Sequence, residues 1–289
     1  YAETLPNPYL RVFPIKEVSD IGRKHNIPLI MDNTAAPVIC KPLDHGAAVV
    51  VHSLTKFIGG HGTVIGGCLV DGGNFDWTAD PKRQPMFNEP DASYGGAVWG
   101  QVVPQLTGAN VAFAVRARVC LLRDLGAPLA PDNAWGIIQG LETAPLRMKQ
   151  HCSNAEKVVN FLTKHKSVDR VIYPTLHKGA VGDRAKKYFK GGNGALVGIE
   201  VKGGVEAGKK FIEALKMFYH VANIGDARSL AIHPATTTHS QLTEEELLAA
   251  GVTPGYVRLS IGIEHPDDII ADLDQALGAS GKPSLKAVS

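Results

Sequence analysis

The fold of this chain is decided by the stretch AAVVVHSLTK at residues 47–56. The stretch opens with an apolar run, Ala47–His52, which is typical of a strand buried in a parallel sheet. Two hydroxyl residues and Lys56 follow where that strand should end. A second apolar run, Ile27–Met31, lies upstream and is followed by Asp32. Because ligands of open α/β sheets bind outside the carboxyl ends of the strands, Asp32 and Lys56 are expected to face one crevice.

The residues after these two strands are those that pyridoxal phosphate (PLP) requires. Lys56 is the candidate for a Schiff base, since a buried lysine has a lowered pKa and attacks an aldehyde more readily. Asp32 is the candidate partner that keeps the pyridine nitrogen protonated, and Ser53 and Thr55 are candidate phosphate ligands. Each signal alone has a common structural explanation, such as a turn aspartate or a surface Ser-x-Thr-Lys sequence. Their combination after predicted buried strands favours a PLP site.

The composition is that of an ordinary soluble globular chain. Its 289 residues are 44% hydrophobic and 20% charged, which is typical of one or two domains. The 30 basic and 28 acidic residues give a net charge of +2, and no basic stripe predicts nucleic-acid binding. No apolar run approaches the roughly 18 residues of a membrane helix. The start of the sequence, Tyr1–Thr4, lacks the features of a secretory signal.

The cysteines and histidines predict neither disulfides nor a metal site. The four cysteines lie far apart and form no CxxC pair, which favours reduced thiols in a cytoplasmic protein. The eleven histidines lack HExxH spacing, and so we expect no metal.

Strand and helix patterns alternate along the chain, which predicts an α/β fold. Residues 74–96 are rich in Pro, Asp, Asn and Gly and are expected to form a long surface excursion. Apolar residues recur at helical spacing from Met148 to Leu162, and we place a domain boundary near Leu146, at the start of that helix. The predicted domains are residues 1–145 and 146–289. The other predicted elements are helices over Pro14–His25, Val111–Asp124, Val205–Phe218 and Pro266–Leu277, and strands over Val64–Val70, Val168–Tyr173, Ala195–Val201 and Tyr256–Ile263.

Two stretches around the candidate residues, Met31–Thr34 and Val51–Gly62, closely resemble the PLP-dependent enzymes of cysteine and methionine metabolism. This family includes cystathionine synthases and lyases, methionine γ-lyase and the O-acetylhomoserine sulfhydrylases, and the sulfhydrylases look most similar. Asn223–His239 and Val257–Glu264 are similar to the family's carboxy-terminal signature, so that the resemblance covers almost the whole chain. It implies the fold type I of PLP-dependent transferases, with a mostly parallel-sheet large domain, incomplete in this sequence, and a smaller α+β C-terminal domain.

The resemblance implies the same roles for the four residues named above, with PLP as the cofactor, and adds three more. Asn7 matches an asparagine near the ring hydroxyl or the substrate carboxylate. Arg258 matches the arginine that binds the α-carboxylate of an amino-acid substrate, a task suited to a bidentate guanidinium. Ser229 lies where the family's backbone also approaches that carboxylate. Lys56 is in addition the catalytic residue, since its free amine would move protons between the carbon atoms of the substrate.

The amino-terminal part of the family has no counterpart in this sequence. That part holds a glycine-containing phosphate loop, an aromatic residue that stacks on the ring, and a Tyr/Arg pair that reaches the phosphate of the neighbouring subunit. We therefore expect either a fragment or a site that a separate polypeptide completes. The resemblance further implies a cytoplasmic homotetramer that acts on a small molecule, with no nucleic-acid or membrane partner.

The residue at position 228 bears on the reaction. In relatives that handle cystathionine, an acidic residue often precedes the serine matching Ser229, where it can attract a distal ammonium, whereas this chain has Arg228. A cation there would repel such a group, which favours O-acetylhomoserine as the substrate. The prediction is γ-replacement by sulfide or a thiol, giving homocysteine or a thioether plus acetate, as in methionine biosynthesis.

Several alternatives stay open on the sequence alone. Arg228 is equally well explained as a solvated surface charge. Cystathionine γ-synthase, cystathionine γ-lyase and methionine γ-lyase remain possible activities, and so does a non-catalytic fragment or subunit. The sequence does not distinguish sulfide from methanethiol as the acceptor, or an acetyl from a succinyl leaving group.

Overall fold

The computed structural model of the protein describes residues 1–281, apart from the side chain of Glu244. These residues form two β-sheets joined by one long helix. The elements of the first part are β1 (Ala2–Glu3), α1 (Ile15–Lys24), β2 (Ile30–Asp32), β3 (Val49–Ser53), β4 (Gly67–Asp71), α2 (Pro85–Asn88), α3 (Trp99–Thr107), α4 (Ala112–Arg116) and α5 (Arg123–Leu125). The long helix and the second part comprise α6 (Pro131–Leu162), β5 (Val168–Ile172), α7 (Gly179–Tyr188), β6 (Leu196–Val201), α8 (Gly204–Ala214), β7 (Tyr219–His220), β8 (Leu230–Ile232), α9 (Glu244–Ala249), β9 (Tyr256–Ser260) and α10 (Pro266–Ser280).

The first sheet has the strand order β1-β2-β3-β4. Strands β1, β2 and β3 are parallel, with Met31 opposite Val50, and β4 is antiparallel to β3. Met31 and Val49 are fully buried, as the apolar runs predict. The expected mostly parallel sheet of an α/β fold is confirmed. Asp32 and Ser53 end neighbouring parallel strands and therefore lie at the same edge of the sheet.

The strand β4 begins later than the sequence predicts. A strand was expected over residues 64–70, but β4 starts at Gly67. The reason is that Gly66 bonds to the turn after β3. Its carbonyl accepts a hydrogen bond from Leu54 N at 2.9 Å, and its amide donates to Thr55 Oγ1 at 3.0 Å. These bonds tie the start of β4 to the turn that carries Lys56.

The prediction of a surface excursion over residues 74–96 is wrong for its aromatic side chains. Phe75, Trp77 and Phe87 are buried. Trp77 stacks on Phe113 of α4, with ring centroids 5.2 Å apart. The segment is therefore anchored by large side chains, each of which contributes roughly 1.5–3 kcal/mol on burial. The many turn residues of the segment predict a surface loop and give no sign of these buried aromatic side chains.

The helix α6 begins at Pro131, well before the start expected near Leu146. Its residues Met148 and Cys152 pack in a core that includes Met31 of the first sheet, whereas Val158 packs in the core of the second sheet. The helix therefore contributes to both cores. A domain boundary near Leu146 would lie inside it and stays a proposal.

The second sheet has the strand order β5-β6-β9-β8-β7. All neighbouring strands are antiparallel except β7 and β8. Helices α8 and α10 pack on one another, and Phe211 of α8, Leu273 of α10 and Val257 of β9 share one buried core. This arrangement of an antiparallel sheet with packed helices is the α+β structure that the sequence predicts for the second part.

The helix α8 ends at Ala214, whereas the sequence predicts a helix to Phe218. The buried carboxylate of Asp272 accepts hydrogen bonds from Lys216 N at 3.0 Å and Met217 N at 2.9 Å. These bonds stabilise a turn in place of the last helical residues.

Within residues 1–281, no helix is long and apolar enough to cross a membrane. In the same part of the chain, the side chains of His, Cys, Asp and Glu form no group of three that could hold a metal ion. The four cysteines are all free thiols.

Candidate active site

Lys56 lies in the turn that leaves β3. Its amide donates to Ser53 O at 3.2 Å, and its carbonyl accepts from Gly60 N at 2.7 Å. Its amine, Nζ, donates to Asn223 Oδ1 at 2.5 Å. Burial, and after it the positive charge of Arg258, lower the pKa of this amine. No carboxylate that the structure describes forms an ion pair with Nζ. The amine can therefore lose its proton and act as a nucleophile or base.

Asn223 joins Lys56 to Arg258. Its side-chain oxygen accepts from Lys56 Nζ, and its backbone oxygen accepts from Arg258 Nη2 at 3.2 Å. Burial lowers the pKa of Arg258, which forms no ion pair within the described part of the chain. Asn223 lies in a stretch that the sequence singles out, yet no role was predicted for it. The contact spans 167 residues, and only the folded chain reveals it.

Asp32 ends β2 beside Thr34 and Ser53. Its Oδ1 accepts from Thr34 N at 2.9 Å, and its Oδ2 accepts from the hydroxyl of Tyr1 at 2.9 Å. Burial, followed by the hydrogen bond to Asp32, raises the pKa of Tyr1 to about 12. The hydroxyl of Thr34 accepts from Ser53 N at 2.8 Å and so links the ends of β2 and β3. Thr34 is a second site residue whose role the sequence did not predict.

The two expected phosphate ligands differ in how their hydroxyls are used. Thr55 Oγ1 donates to Gly66 O at 3.3 Å and accepts from Gly66 N at 3.0 Å, so it also supports the start of β4. The Ser53 hydroxyl makes no hydrogen bond to any group within residues 1–281. Ser53 is therefore the hydroxyl that is free to bind an anion, and Thr55 can do so only by sharing its bonds with Gly66.

The two remaining predicted site residues, Ser229 and Asn7, both form hydrogen bonds within the chain. Ser229 is fully buried, its amide donates to Glu264 Oε1 at 2.6 Å, and its hydroxyl donates to Glu264 Oε2 at 2.9 Å. Asn7 is exposed, and its Oδ1 accepts from the hydroxyl of Tyr256 at 3.4 Å. Ser229 therefore acts here as a structural anchor, while the exposed Asn7 remains accessible to a ligand.

Arg228 is bound to a neighbouring carboxylate. Its Nε and Nη2 lie 3.3 and 3.2 Å from the oxygens of Asp226, and its guanidinium lies 4.6 Å from the centre of the Tyr219 ring. Its side chain is 50% exposed, whereas that of Asp226 is 5% exposed. The positive charge is therefore largely compensated. Repulsion of a distal ammonium is weaker than the sequence alone suggests.

The donor set around Lys56 fits PLP. An amine with a lowered pKa and no carboxylate partner can bond to an aldehyde, and Asp32 supplies the carboxylate that a pyridinium nitrogen needs. The free hydroxyl of Ser53 follows on the same sheet edge. Arg258 adds spare N–H groups beside the amine for the carboxylate of an amino acid. The structure thus joins Lys56 and Arg258 through Asn223, and Asp32 and Ser53 through Thr34, whereas Ser229 and Asn7 bond to other residues.

Comparison with known proteins places the chain in one family. The family model of the Cys/Met metabolism PLP-dependent enzymes matches residues 1–278. An O-acetyl-L-homoserine sulfhydrylase of Leptospira meyeri is 53% identical over 283 residues, which cover 96% of this chain and 63% of the relative. A homocysteine synthase of Schizosaccharomyces pombe is 44% identical over 279 residues, which cover 96% of this chain and 64% of the relative. The chain thus spans less than two thirds of the length of these relatives.

A solved structure supports the same placement. A Campylobacter jejuni protein described as an O-acetylhomoserine (thiol)-lyase, with N′-pyridoxyl-lysine-5′-monophosphate, superposes with a TM-score of 0.86 at 43% identity. The match covers 96% of this chain and 66% of that one. The expected PLP fold type I and the expected cofactor of the family are confirmed. The chain belongs to the Cys/Met metabolism PLP-dependent enzymes.

Proposed function

We propose that the protein catalyses γ-replacement on O-acetylhomoserine with sulfide or a small thiol, yielding homocysteine or a thioether plus acetate. The observation that carries the proposal is the cluster of Lys56, Asn223 and Arg258, in which Asn223 joins an amine with a lowered pKa to a guanidinium with unused donors. The similarity to relatives named O-acetyl-L-homoserine sulfhydrylase and homocysteine synthase supports this choice of reaction.

PLP and the residues that bind it would have separate roles in the reaction. PLP, when bound, supplies an electron sink for the carbon atoms of an amino-acid substrate. Lys56 would hold the cofactor covalently and then move protons at the α- and β-carbons of the substrate. Asp32 would keep a proton on the pyridine nitrogen. Ser53, with Thr55, would bind the phosphate.

The substrate contacts follow from the same cluster. Arg258 would bind the α-carboxylate through its free N–H groups, which directs the side chain of the amino acid away from it. Asn7 is proposed to lie near the ring hydroxyl or that carboxylate. For Ser229 we retain only an approach of its backbone to the carboxylate, since its N–H already donates to Glu264.

The overall exchange balances without an oxidant or reductant. The bond between the γ-carbon and the acetate oxygen breaks, and acetate leaves with the bonding electron pair. A bond between the γ-carbon and sulfur forms, and the thiol proton is released to the acetate or to solvent. Lys56 returns each proton that it takes from carbon, so that the amine ends the cycle as it began.

We further propose a cytoplasmic homotetramer, supported by the resemblance and by four free cysteines. We also propose that the part of the relatives' length that this sequence does not match contributes groups to the complete site. Those groups would belong to the same or a separate polypeptide. The mass of every polypeptide in a purified active sample, together with its native mass, tests both proposals.

The reaction is tested by comparing substrates. The complete protein, with any companion polypeptide, is assayed on O-acetylhomoserine plus sulfide, on cystathionine and on methionine. We expect the highest kcat/KM for O-acetylhomoserine. Faster breakdown of cystathionine or methionine would favour a γ-lyase, and faster formation of cystathionine from cysteine would favour a γ-synthase. Absence of all these activities, with no PLP fixed to Lys56 by borohydride, would favour a non-catalytic subunit.

A further inference from the structure

Arg147 is a buried cation without an acidic partner. Its residue is 5% exposed, and no carboxylate among residues 1–281 forms an ion pair with it. An unpaired buried charge is costly unless hydrogen bonds satisfy it. The hydrogen bonds that satisfy this guanidinium therefore indicate what the side chain does.

The acceptors of Arg147 are largely backbone oxygens of the loop after Lys56. Nη1 donates to Phe57 O at 2.6 Å, and Nη2 donates to Ile58 O at 2.8 Å. Nη2 also donates to Gly140 O of α6 at 2.7 Å. The planar guanidinium thus clamps the loop onto the helix, and a single ammonium could not reach these separated acceptors together.

Glycine makes this close approach possible on both sides. Gly60 has a positive φ of 74°, and an added Cβ there would collide with the Arg147 guanidinium. An added Cβ at Gly140 would collide with the carbonyls of Ile58 and Gly59. The loop of residues 57–60 therefore fits against α6 only with these two glycines and the arginine between them.

The same face of α6 also holds the segment after β9. His151 bonds through Nδ1 to Ile261 O at 2.7 Å, and its ring meets Phe57 edge-on with centroids 5.3 Å apart. Asn154 donates to Gly262 O at 3.0 Å and to Glu264 O at 2.8 Å. Strand β9 carries Arg258, so one helix face connects the Lys56 turn with the strand of the carboxylate-binding arginine.

We propose that Arg147 is a positioning residue for Lys56: by holding the loop of residues 57–60 against α6, it fixes the distance between the Lys56 amine and Arg258. The inference rests on the proposed role of Lys56 in the reaction. It goes further by assigning a task to a buried side chain that bonds to the backbone of the loop and to its own helix. The loop is also held by Gly60 O, which accepts from Ala227 N at 2.8 Å, so Arg147 acts together with the segment that includes Asn223.

The test measures the Lys56 amine itself and needs no enzymatic activity. Any bound PLP is first removed with hydroxylamine, so that the Lys56 amine is free. Trace acetylation of the purified full chain is then followed over a range of pH, and the peptide with Lys56 is quantified by mass spectrometry. The midpoint of its labelling gives the pKa of that amine, and Lys187 serves as an internal reference. The variants are Arg147→Lys, which keeps the charge, Arg147→Met, which removes it, and Gly60→Ala, which disturbs the same contact from the loop.

In Arg147→Lys we expect the Lys56 midpoint to rise by roughly one pH unit, because a loosened loop hydrates the amine and moves it away from Arg258. Arg147→Met and Gly60→Ala should show a similar rise. The matched control is Asp272→Asn, which weakens another buried polar anchor far along the chain from this loop. It should lower the melting temperature and leave the Lys56 midpoint unchanged.

An unchanged Lys56 midpoint in folded Arg147→Lys and Gly60→Ala would overturn the proposal and leave Arg147 as a brace for the fold only. Failure of all three loop variants to fold, while Asp272→Asn folds, would lead to the same conclusion. A shifted midpoint in a protein that lacks sulfhydrylase activity would uphold the positioning role and refute the proposed reaction, so the two failures are distinguishable.

Discussion

Arg147 is buried and Arg258 is half-buried, and neither forms an ion pair with a carboxylate that the structure describes. The two arginines differ in the partners of their N–H groups. Arg147 donates to three backbone oxygens and to the hydroxyl of Thr143. Arg258 makes one hydrogen bond within the same residues, to Asn223 O. A guanidinium whose N–H groups are mostly used within the chain holds its surroundings, whereas one whose N–H groups are mostly unused can bind a ligand.

The location of the two side chains matches this difference. Arg258 shares Asn223 with the Lys56 amine, and its positive charge lowers the pKa of that amine. Arg147 instead bonds to the backbone of the loop that follows Lys56 and to its own helix. We propose that the same residue type serves two tasks in one site: Arg258 would bind an external carboxylate, and Arg147 would place the amine that acts on it. The experiments below separate the two tasks, beginning with the group that both arginines serve.

Lys56→Ala removes that group. We expect turnover to fall by roughly 10³-fold or more and the covalent PLP adduct to disappear, because no other residue replaces the amine. The fold should persist, and circular dichroism checks this. The adduct is measured by peptide mass spectrometry after borohydride reduction. The control is Lys187→Ala, which removes a surface lysine paired with Glu17. An adduct that persists at an active-site lysine of Lys56→Ala would show that the assignment is wrong.

Asp32→Asn tests the carboxylate at the other end of the site. An amide cannot hold a proton on the pyridine nitrogen, so we expect a loss in kcat on the order of 10²-fold, about 3 kcal/mol. PLP binding should be retained, since an amide oxygen can still accept from Thr34 N. The measurement pairs kcat with the Kd for PLP, and Asp20→Asn, at a surface ion pair with Lys16, is the control. Near-normal turnover would remove Asp32 from the mechanism.

His151 adds a pH dependence next to Arg147. Burial, opposed by the bond to Ile261 O, lowers the pKa of this histidine from 6.5 to about 4. Between these values the unfolded chain binds a proton that the folded chain does not. The contribution of neutral His151 to the free energy of unfolding is therefore fully present above pH 6.5, and it is lost as the pH falls towards 4. Urea unfolding at pH 7 and pH 4.5 should show about 2 kcal/mol less acid destabilisation in His151→Gln than in the wild type. If His151→Gln and the wild type lose the same free energy of unfolding at pH 4.5, the proton that the unfolded chain gains binds to another group.

The local part of the site could be predicted from the sequence. Asp32, Ser53, Thr55 and Lys56 follow apolar runs that form β2 and β3, and their sheet edge follows from parallel pairing alone. Asn223 and Arg147 could not be found in this way. Their roles depend on contacts with residues 167 and 90 positions away, and neither local propensity nor periodicity encodes such contacts.

The fold shows the same division between local and distant information. The apolar runs predicted the strands β3, β6 and β9 to within a few residues. The segment of residues 74–96 was misjudged, because its turn residues are a local signal and the burial of Trp77 against Phe113 is a distant one. The end of α8 depends likewise on Asp272, a residue of another helix.

Arg258→Lys and Arg147→Lys together test whether the first arginine binds substrate while the second stabilises the fold. One ammonium cannot copy the planar fork, so kcat/KM should fall on the order of 30-fold, about 2 kcal/mol, with KM raised. The Kd for PLP and the melting temperature should change little, because Arg258 has a single internal bond to lose. In Arg147→Lys the melting temperature should fall instead, since several internal bonds are lost. Equal losses in substrate and PLP affinity for Arg258→Lys would place Arg258 at the phosphate or in the scaffold.

The smallest expected effect concerns a third arginine, which is half exposed to solvent and paired with a carboxylate. Arg228 is half exposed and shares its charge with Asp226, so its influence on a distal ammonium should be modest. Arg228→Glu places a second carboxylate beside Asp226, and the pair would attract an ammonium that the native arginine repels. We therefore expect the ratio of kcat/KM for cystathionine to that for O-acetylhomoserine to rise by roughly fivefold, as an exposed charge pair permits. Arg228→Gln, which removes the charge without reversing it, should give an intermediate ratio. If both variants keep the native ratio, Arg228 does not sense the distal group, and the preference for O-acetylhomoserine must come from elsewhere in the pocket.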